Sequence, residues 1–255
     1  MSSPTPQQAL PGLLRLPYAL YAGTLFTVLS LLALVLILPV PSLPARRAMV
    51  RCAARAFLAL AGMRLTVLNQ GRLPQAPCVV VANHSSYLDG VALYAALPPR
   101  FGFVIKREMS RVPLANLLLR RVGAHYVDRG RGHKGARDTR KLLKRARQGG
   151  ALAFFPEGTF RHAPGLMAFR SGAFVVAARS GFPVVPVAIR GTRAALPPGG
   201  MLPQPVPIEV ELLEMIPAPS SIEEAAVSAV RRAARTAILA HIAEPDLAPD
   251  DKLPA

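Results

Sequence analysis

Six short apolar runs recur along the middle of the chain, and each is rich in aliphatic or aromatic side chains. They cover residues 78–82, 101–105, 122–127, 151–155, 184–189 and 208–213. Runs of this length and composition are typical of buried strands. Stretches with helical character separate most of them or follow them, at residues 113–121, 134–148, 173–179 and 222–242. This alternation predicts an α/β fold in which helices flank a largely parallel sheet.

A longer apolar stretch, residues 18–40, precedes the first strand and carries no charge. It is long enough to cross the hydrocarbon core of a bilayer as a helix. Residues 46–65 follow with arginines and apolar side chains at helical spacing, which predicts an amphipathic helix with its arginines among lipid headgroups. Together they predict an N-terminal hydrophobic membrane-anchoring helix or helix pair, and they leave open whether it spans the bilayer or enters one leaflet.

These segments divide the chain into three predicted parts. Residues 1–65 form the membrane anchor, residues 66–243 form the α/β domain, and residues 244–255 form a flexible tail because they are acidic and contain proline. Basic residues after the apolar stretch, such as Arg46 and Arg47, outnumber the single Arg15 before it. The positive-inside tendency therefore places the α/β domain on the cytoplasmic side of the membrane.

The formal net charge of +17 arises mostly between residues 99 and 150. Such a block can meet nucleic acid, an acidic small substrate or an anionic membrane surface. Next to a membrane anchor, and without a nucleic-acid-binding module, it favours the membrane surface and predicts no nucleic-acid partner. The two cysteines, Cys52 and Cys78, form no CxxC pattern, so no metal site is predicted.

A polar turn from Asn83 to Asp89 follows the first strand run. His84 therefore lies at the carboxyl end of a strand, where open α/β sheets bind their ligands. Asp89 begins the next helix, and the two side chains can meet across the turn. A carboxylate that accepts the imidazole Nδ1 proton leaves Nε2 free to take a proton from a hydroxyl group. Alternatively, Ser86 and Asp89 form a helix capping box and His84 is only an exposed loop residue.

A second motif, Phe155-Pro156-Glu157-Gly158-Thr159, ends the fourth strand run. Together with His84 and Asp89, it resembles the glycerolipid acyltransferase family, in particular the 1-acyl-glycerol-3-phosphate acyltransferases. The resemblance continues, in the family's order, through Lys106 and through residues 123–129, 169–174 and 185–187.

The resemblance implies an acyltransferase catalytic domain that moves a fatty acyl group from a thioester donor, acyl-CoA or acyl carrier protein, to the free hydroxyl of lysophosphatidic acid. It implies phosphatidic acid as product, a membrane lysophospholipid as substrate, no cofactor, and a place at the inner (cytoplasmic) membrane. Two alternatives stay open. One is the same chemistry on another lysolipid, such as a lyso-ornithine lipid or a headgroup-bearing lysophospholipid, and the other is a membrane-anchored lipid-binding protein without catalysis.

The resemblance also assigns residues. His84 would be the base and Asp89 its orienter, and substrate binding is implied for Lys106, Arg129, Glu157, Gly158, Thr159 and Arg161. The apolar run around Pro186 suits an acyl channel, although a proline at this position is also typical of an edge strand. The chain departs from the family pattern at one position, because an arginine usually follows the threonine directly and this chain has Phe160 and then Arg161. A shift of one residue can reverse the direction of a side chain in a strand or turn. The departure therefore leaves open whether Arg161 binds the phosphate of the acceptor, and with it the identity of the acceptor.

Overall fold

The computed structural model describes residues 11–127, 142–144, 146 and 149–249. These residues form a seven-stranded sheet in the order β1-β7-β6-β2-β5-β3-β4. Its strands are β1 Leu65–Leu68, β2 Val79–Ala82, β3 Phe101–Lys106, β4 His125–Val127, β5 Ala151–Phe154, β6 Val184–Arg190 and β7 Ile208–Leu212. Every neighbouring pair is parallel except β6 and β7. The predicted α/β fold with a largely parallel sheet is confirmed.

The helices follow the predicted alternation. They are α1 Gly12–Ile37, α2 Leu43–Leu60, α3 Leu88–Ala96, α4 Pro113–Arg121, α5 Gly172–Ser180, α6 Thr192–Ala195 and α7 Glu224–Leu239, with 3-10 turns at Gln70–Arg72 and Arg107–Arg111. The helix predicted at residues 134–148 lies mostly outside the described residues. Of its positions, Leu142, Leu143 and Ala146 are described and buried.

The sheet has an apolar layer on each side, and β2 shows how the sequence builds both. Val80 and Ala82 belong to the cluster that includes side chains of α2 and α3, whereas Val79 and Val81 belong to the cluster with α5 and α7. Successive side chains of a strand point to opposite faces. An unbroken apolar run is therefore what a central strand needs when both of its faces are covered.

Two strands differ from the sequence-based expectation. β1 was not among the predicted strands, since it has four residues and none of them is fully buried. β4 begins at His125 rather than at residue 122, because Val122 ends α4 and Gly123 follows it with φ of +68°. That left-handed conformation favours glycine and turns the chain out of the helix.

Helix α1 is a candidate membrane anchor by length and composition, and its most apolar 18-residue window is 22% buried. It packs against α2: the Tyr18 hydroxyl donates to the Ala61 carbonyl at 2.6 Å, and the rings of Phe26 and Phe57 meet edge to face at 5.2 Å. Its other side exposes large apolar side chains, including Leu20, Leu32 and Leu36. A helix at the core of a soluble domain would bury such side chains.

The arginines of α2 have partners within the protein. Their guanidinium groups donate to backbone carbonyls elsewhere in the fold: Arg46 to Arg121, Arg47 to Val122 and Arg100, and Arg51 and Arg55 to Ala95. Ala95 lies in the last turn of α3, where helix carbonyls lack partners within the helix. The predicted position among lipid headgroups is therefore wrong for the buried Arg47, whereas Arg55 stays exposed, and α2 is packed into the same layer as α3. The division of the chain at residue 65 stays a prediction.

The end of the described chain also differs from the expected flexible tail at 244–255. Glu244 forms an ion pair with Arg193 at 2.7 Å, and Asp246 pairs with the buried Arg235. Asp246 also forms an isolated parallel bridge with Leu166. Residues 244–249 are thus packed against the domain, and residues 250–255 lie outside the described residues.

We expect Arg47→Met to destabilise the protein, because the residue is 9% exposed and its loss leaves the carbonyls of the buried Val122 and the half-buried Arg100 without this donor. The free energy of unfolding should fall by about 2–4 kcal/mol. Chemical unfolding in detergent measures this change. The matched control is Arg64→Met at an exposed position, which should change it by less than about 0.5 kcal/mol. Equal effects of the two substitutions would contradict the buried anchoring role of Arg47.

Candidate active site

The polar turn after β2 is fixed to the neighbouring strand by Asn83. Its side-chain amide donates to the Ile189 carbonyl at 2.9 Å, and its side-chain oxygen accepts the Ile189 N–H at 2.7 Å. Asn83 is 3% exposed, so these bonds form away from water. The turn therefore leaves the sheet at a defined point on its carboxyl edge, and His84 follows immediately.

His84 and Asp89 meet across this turn, as their spacing predicts. His84 Nδ1 and Asp89 Oδ2 are 2.9 Å apart. The same oxygen accepts the backbone N–H groups of Ser85 at 2.6 Å and Ser86 at 2.8 Å. Three donors and the positive end of α3 therefore face this one oxygen of a fully buried side chain. An ionised Asp89 holds the proton on Nδ1 and leaves the Nε2 lone pair for a substrate proton.

Half of the predicted capping box is present as well. Asp89 accepts the Ser86 N–H, and Ser86 Oγ accepts the N–H of Leu88 at 3.1 Å. The cap and the His–Asp pair therefore use the same carboxylate. The two alternatives, a helix cap and a His–Asp pair, are therefore compatible, because the Asp89 side chain takes part in both.

Two aromatic rings hold the imidazole of His84 in place. Phe155 stacks on it with ring centroids 4.4 Å apart, and Phe160 meets it edge-on at 4.6 Å. Tyr87 in turn contacts Phe160 edge-on at 4.8 Å. The His84 side chain is 17% exposed, so it reaches solvent or substrate over a small part of its surface. Sequence reasoning noted Phe160 only as a departure from the family pattern and missed its contact with the base.

Glu157 lies behind His84 rather than at the surface. It is 5% exposed, and its two carboxylate oxygens accept the backbone N–H of His84 at 2.6 Å and that of Met167 at 2.9 Å. Burial raises the pKa of Glu157 to about 8, although both N–H groups favour its ionised form. The contacts tie the His84 turn to the loop after β5. The substrate-binding role implied by the resemblance stays a prediction.

The remaining predicted residues are placed as follows. Gly158 is buried with φ of +82°, which favours glycine, and Thr159 and Arg161 next to it are exposed. Lys106 ends β3 and forms an exposed ion pair with Glu108 at 3.1 Å. Arg129 lies outside the described residues.

Because β2, β3 and β5 are parallel neighbours, His84, Lys106 and the Glu157 turn share the carboxyl edge of the sheet. Pro186 is different, since it lies within the central strand β6, beside Val81. A proline in a central strand removes one ladder donor. Its carbonyl still accepts the Leu213 N–H at 2.9 Å.

An apolar cavity of about 390 Å³ lies next to the His–Asp pair. It runs between α1, α2, α3 and α4, and its wall includes Phe155 and Tyr87. Other lining residues are Phe26, Leu29, Ala33, Val50, Ala53, Ala54, Phe57, Val91, Tyr94, Phe103, Met109, Ala115, Leu118 and Leu119. Pro186 is not among the lining residues. Within the described ranges, no three His, Cys, Asp or Glu side chains are grouped so as to hold a metal ion.

The neighbouring serines are not placed as nucleophiles for this base. Ser86 Oγ donates to the Leu196 carbonyl at 2.7 Å, and Ser85 Oγ is 3.4 Å from Thr192 Oγ1. His84 Nδ1 is occupied by Asp89, so the available chemistry is proton abstraction by Nε2 from a group that enters beside Phe155 and Phe160.

Comparisons with known proteins agree with this arrangement. A family model described as Acyltransferase matches residues 64–190. The human 1-acyl-sn-glycerol-3-phosphate acyltransferase beta is 31% identical over 66% of this chain and 62% of its own length. The rat lysophosphatidylcholine acyltransferase 2 is 35% identical over 53% of this chain and 25% of its own length. The chain thus spans less than two thirds of these curated relatives.

A solved structure has the same fold. The crystal structure of the 1-acyl-sn-glycerophosphate (LPA) acyltransferase PlsC from Thermotoga maritima superposes with a TM-score of 0.73 at 21% identity. The match covers 91% of this chain and 97% of that one, so it includes the N-terminal helices as well as the sheet.

The buried Glu157 should make stability depend on pH. Between its ordinary pKa of 4.5 and the raised value of about 8, the carboxyl ionises in the unfolded protein but stays protonated in the folded one. The unfolding free energy should therefore fall as pH rises through this window, by at most about 1.4 kcal/mol per pH unit. Below the window both states are protonated and the contribution is fully present.

Glu157→Gln should lower the free energy of unfolding, because the N–H₂ group of the new amide faces one of the backbone N–H donors that a carboxylate oxygen accepts in the wild type. The substitution should also remove the part of the pH dependence that Glu157 contributes. The measurement is chemical unfolding of both proteins in detergent across the window. Glu223→Gln, at an exposed carboxylate, serves as control and should leave the wild-type profile unchanged. Parallel profiles for wild type and Glu157→Gln would show that Glu157 does not titrate in this range.

Proposed function

The chain belongs to the acyltransferase family, and from this premise we propose that it moves a fatty acyl group from a thioester donor to the free hydroxyl of lysophosphatidic acid, giving phosphatidic acid. The observation that carries the proposal is the His84–Asp89 pair at 2.9 Å, placed beside an apolar cavity. A hydroxyl acceptor needs a base, and a fatty acyl chain needs a water-poor site. Phe155 joins the two features, because its ring stacks on His84 and also lines the cavity.

The reaction follows from these positions. His84 Nε2 takes the hydroxyl proton while the acceptor oxygen attacks the thioester carbonyl carbon. The resulting tetrahedral intermediate expels the thiolate, which takes the proton from the imidazolium, so that the enzyme returns to its starting state. Asp89 stabilises the imidazolium throughout. No acyl-enzyme is needed, in keeping with the hydrogen bonds that occupy Ser85 and Ser86.

The cavity suits the acyl chain of the substrate. Its volume of about 390 Å³ lies within the range of roughly 300–1,000 Å³ typical of small-molecule sites. Its walls come from α1 and α2 as well as from α3 and α4. This position differs from the acyl channel expected near Pro186. We infer that the N-terminal helices contribute to acyl binding in addition to anchoring the protein.

The donor, the acceptor and the location are parts of the same proposal. Coenzyme A or acyl carrier protein would carry the acyl group, and α1 would hold the protein at the cytoplasmic face of the inner membrane. The phosphate of the acceptor would meet the cations at the carboxyl edge of the sheet, among them Lys106, Arg129 and Arg161. Lys106 and Arg161 are exposed at that edge.

A second acceptor class is favoured by one observation. Phe160 stands where the resembled family usually has arginine, and its ring lies against His84 instead of offering a charge. One matched relative carries the name of a lysophosphatidylcholine acyltransferase. A lysophospholipid with a headgroup, or a lyso-ornithine lipid, is therefore the alternative acceptor.

The deciding measurement is thiol release by the purified protein in detergent, with acyl-CoA and, in a parallel assay, with acylated acyl carrier protein as donor. Lysophosphatidic acid should support release, and His84→Ala should lower turnover by at least about a hundredfold because no other base replaces it. A headgroup-bearing lysophospholipid and a lyso-ornithine lipid are compared in the same assay. If thiol is released with one of these two lipids but not with lysophosphatidic acid, the acceptor belongs to the alternative class. If neither acyl-CoA nor acyl carrier protein supported release with any acceptor, catalysis would be refuted in favour of lipid binding.

Substitution within the cavity should change the preferred donor length. Ala54 lines the cavity, so Ala54→Phe fills part of its volume and should lower the rate with long acyl thioesters relative to short ones by about tenfold. The control is Ala59→Phe at an exposed position of the same helix, outside this cavity. Rates with a series of acyl-CoA lengths give the comparison. An unchanged length preference in Ala54→Phe would mean that the acyl chain binds elsewhere.

A further inference from the structure

Helix α4 has two apolar sides, and only one of them is used inside the protein. Ala115, Leu118 and Leu119 line the cavity. Leu114 and Leu117, three residues apart on the other side, are 57% and 41% exposed. The turn that leads into the helix continues this outer surface with the exposed side chains of Met109 and Val112. We call these four exposed residues, Met109, Val112, Leu114 and Leu117, the α4 patch.

Cations surround the α4 patch. From residue 106 to residue 121 the chain carries Lys106, Arg107, Arg111, Arg120 and Arg121 against the single acid Glu108. All of these charged residues except Arg121 are exposed. An apolar centre with a basic rim is complementary to the surface of a bilayer that contains anionic lipids, because hydrocarbon lies just beneath a layer of negative headgroups.

The α4 patch is also next to the candidate anchor. Leu118 of α4 and Val122 just after it pack with Leu34 and Ile37 of α1 in one apolar cluster. The C-terminal half of α1 exposes Leu32, Val35 and Leu36. A bilayer that takes up the exposed side of α1 therefore comes close to the outer side of α4. The cavity lies between the two helices, with Met109 shared between its wall and the patch.

We propose that the α4 patch inserts into the headgroup region of an anionic bilayer, so that α4 is a second membrane contact besides α1 and the cavity opens at the membrane surface. This inference rests on the proposed function, because it identifies the bilayer as the immediate source of the lipid substrate. An acyl chain could then pass from the hydrocarbon into the cavity without crossing water. Transfer of a long acyl chain through water is costly, and the cost grows with every CH₂ group that is exposed.

Lipid contact can be measured directly with a fluorescent label. The full-length protein with Cys52→Ala retains only Cys78, which is fully buried. Single additions of Leu114→Cys or Leu117→Cys then place a bimane fluorophore on the α4 patch. The proteins are reconstituted into vesicles of phosphatidylcholine and phosphatidylglycerol, with or without bromine on the acyl chains as a quencher.

The expected result is a strong loss of emission at positions 114 and 117 in the brominated vesicles. Ile222→Cys is the matched control, since Ile222 is 64% exposed and precedes α7 on the opposite face of the sheet, and its emission should stay unchanged. Leu32→Cys on α1 is the positive reference. Replacement of Arg111 and Arg120 by glutamine should reduce quenching at position 117, because the basic rim then loses attraction to the anionic lipids.

The inference is overturned if labels at 114 and 117 behave like the label at 222 while the label at 32 is quenched. That outcome would mean that α1 alone contacts the bilayer. Failure of the proposed function is a separate result, because it appears as absent thiol release with the α4 labels still quenched. Matching thermal unfolding of the labelled proteins shows that the fold is kept in each of them.

Discussion

The buried carboxylate of Asp89 is the constraint on which the active-site turn depends. A charge with no exposed surface must be met by donors from the protein, because its hydration is lost. The backbone N–H groups of Ser85 and Ser86 and the ring of His84 supply them. These groups can reach one oxygen only if the chain turns sharply between β2 and α3. The same requirement therefore shapes the turn, starts the helix and orients the imidazole of His84.

Support for this turn comes from distant parts of the sequence. Asn83 ties it to β6, Glu157 ties the His84 backbone to the loop after β5, and the rings of Phe155 and Phe160 bracket the imidazole. Each contact limits a different motion: the position of the backbone, the path of the turn and the tilt of the ring. Precise orientation of a reacting group is one of the main ways in which a protein can lower a reaction barrier. The two sequence motifs of the site are thus one structural unit.

The features that the sequence predicted correctly are those that depend on a local pattern of residues. Unbroken apolar runs identified the central strands, because strands covered on both faces have no polar side. The spacing of His84 and Asp89 predicted their meeting for a similar reason, since a strand followed by a helix start leaves few paths for the turn. β1 escaped prediction because four half-exposed residues carry little pattern. Arg47 of α2 was misplaced because a helical pattern of arginines looks the same whether its partners are lipid phosphates or protein carbonyls. The position of Glu157 and the course of the cavity depend on long-range packing, which no local pattern contains.

Helix α3 connects α2 to the His84–Asp89 pair. Its first turn carries Asp89, and its last turn gives the Ala95 carbonyl to Arg51 and Arg55 of α2. At 1.5 Å per residue, its nine residues span about 13 Å. Helix α2 is therefore part of the packed fold rather than a separable tether: a helix without these two arginines would leave the Ala95 carbonyl, at the far end of the helix that carries Asp89, without its side-chain donors.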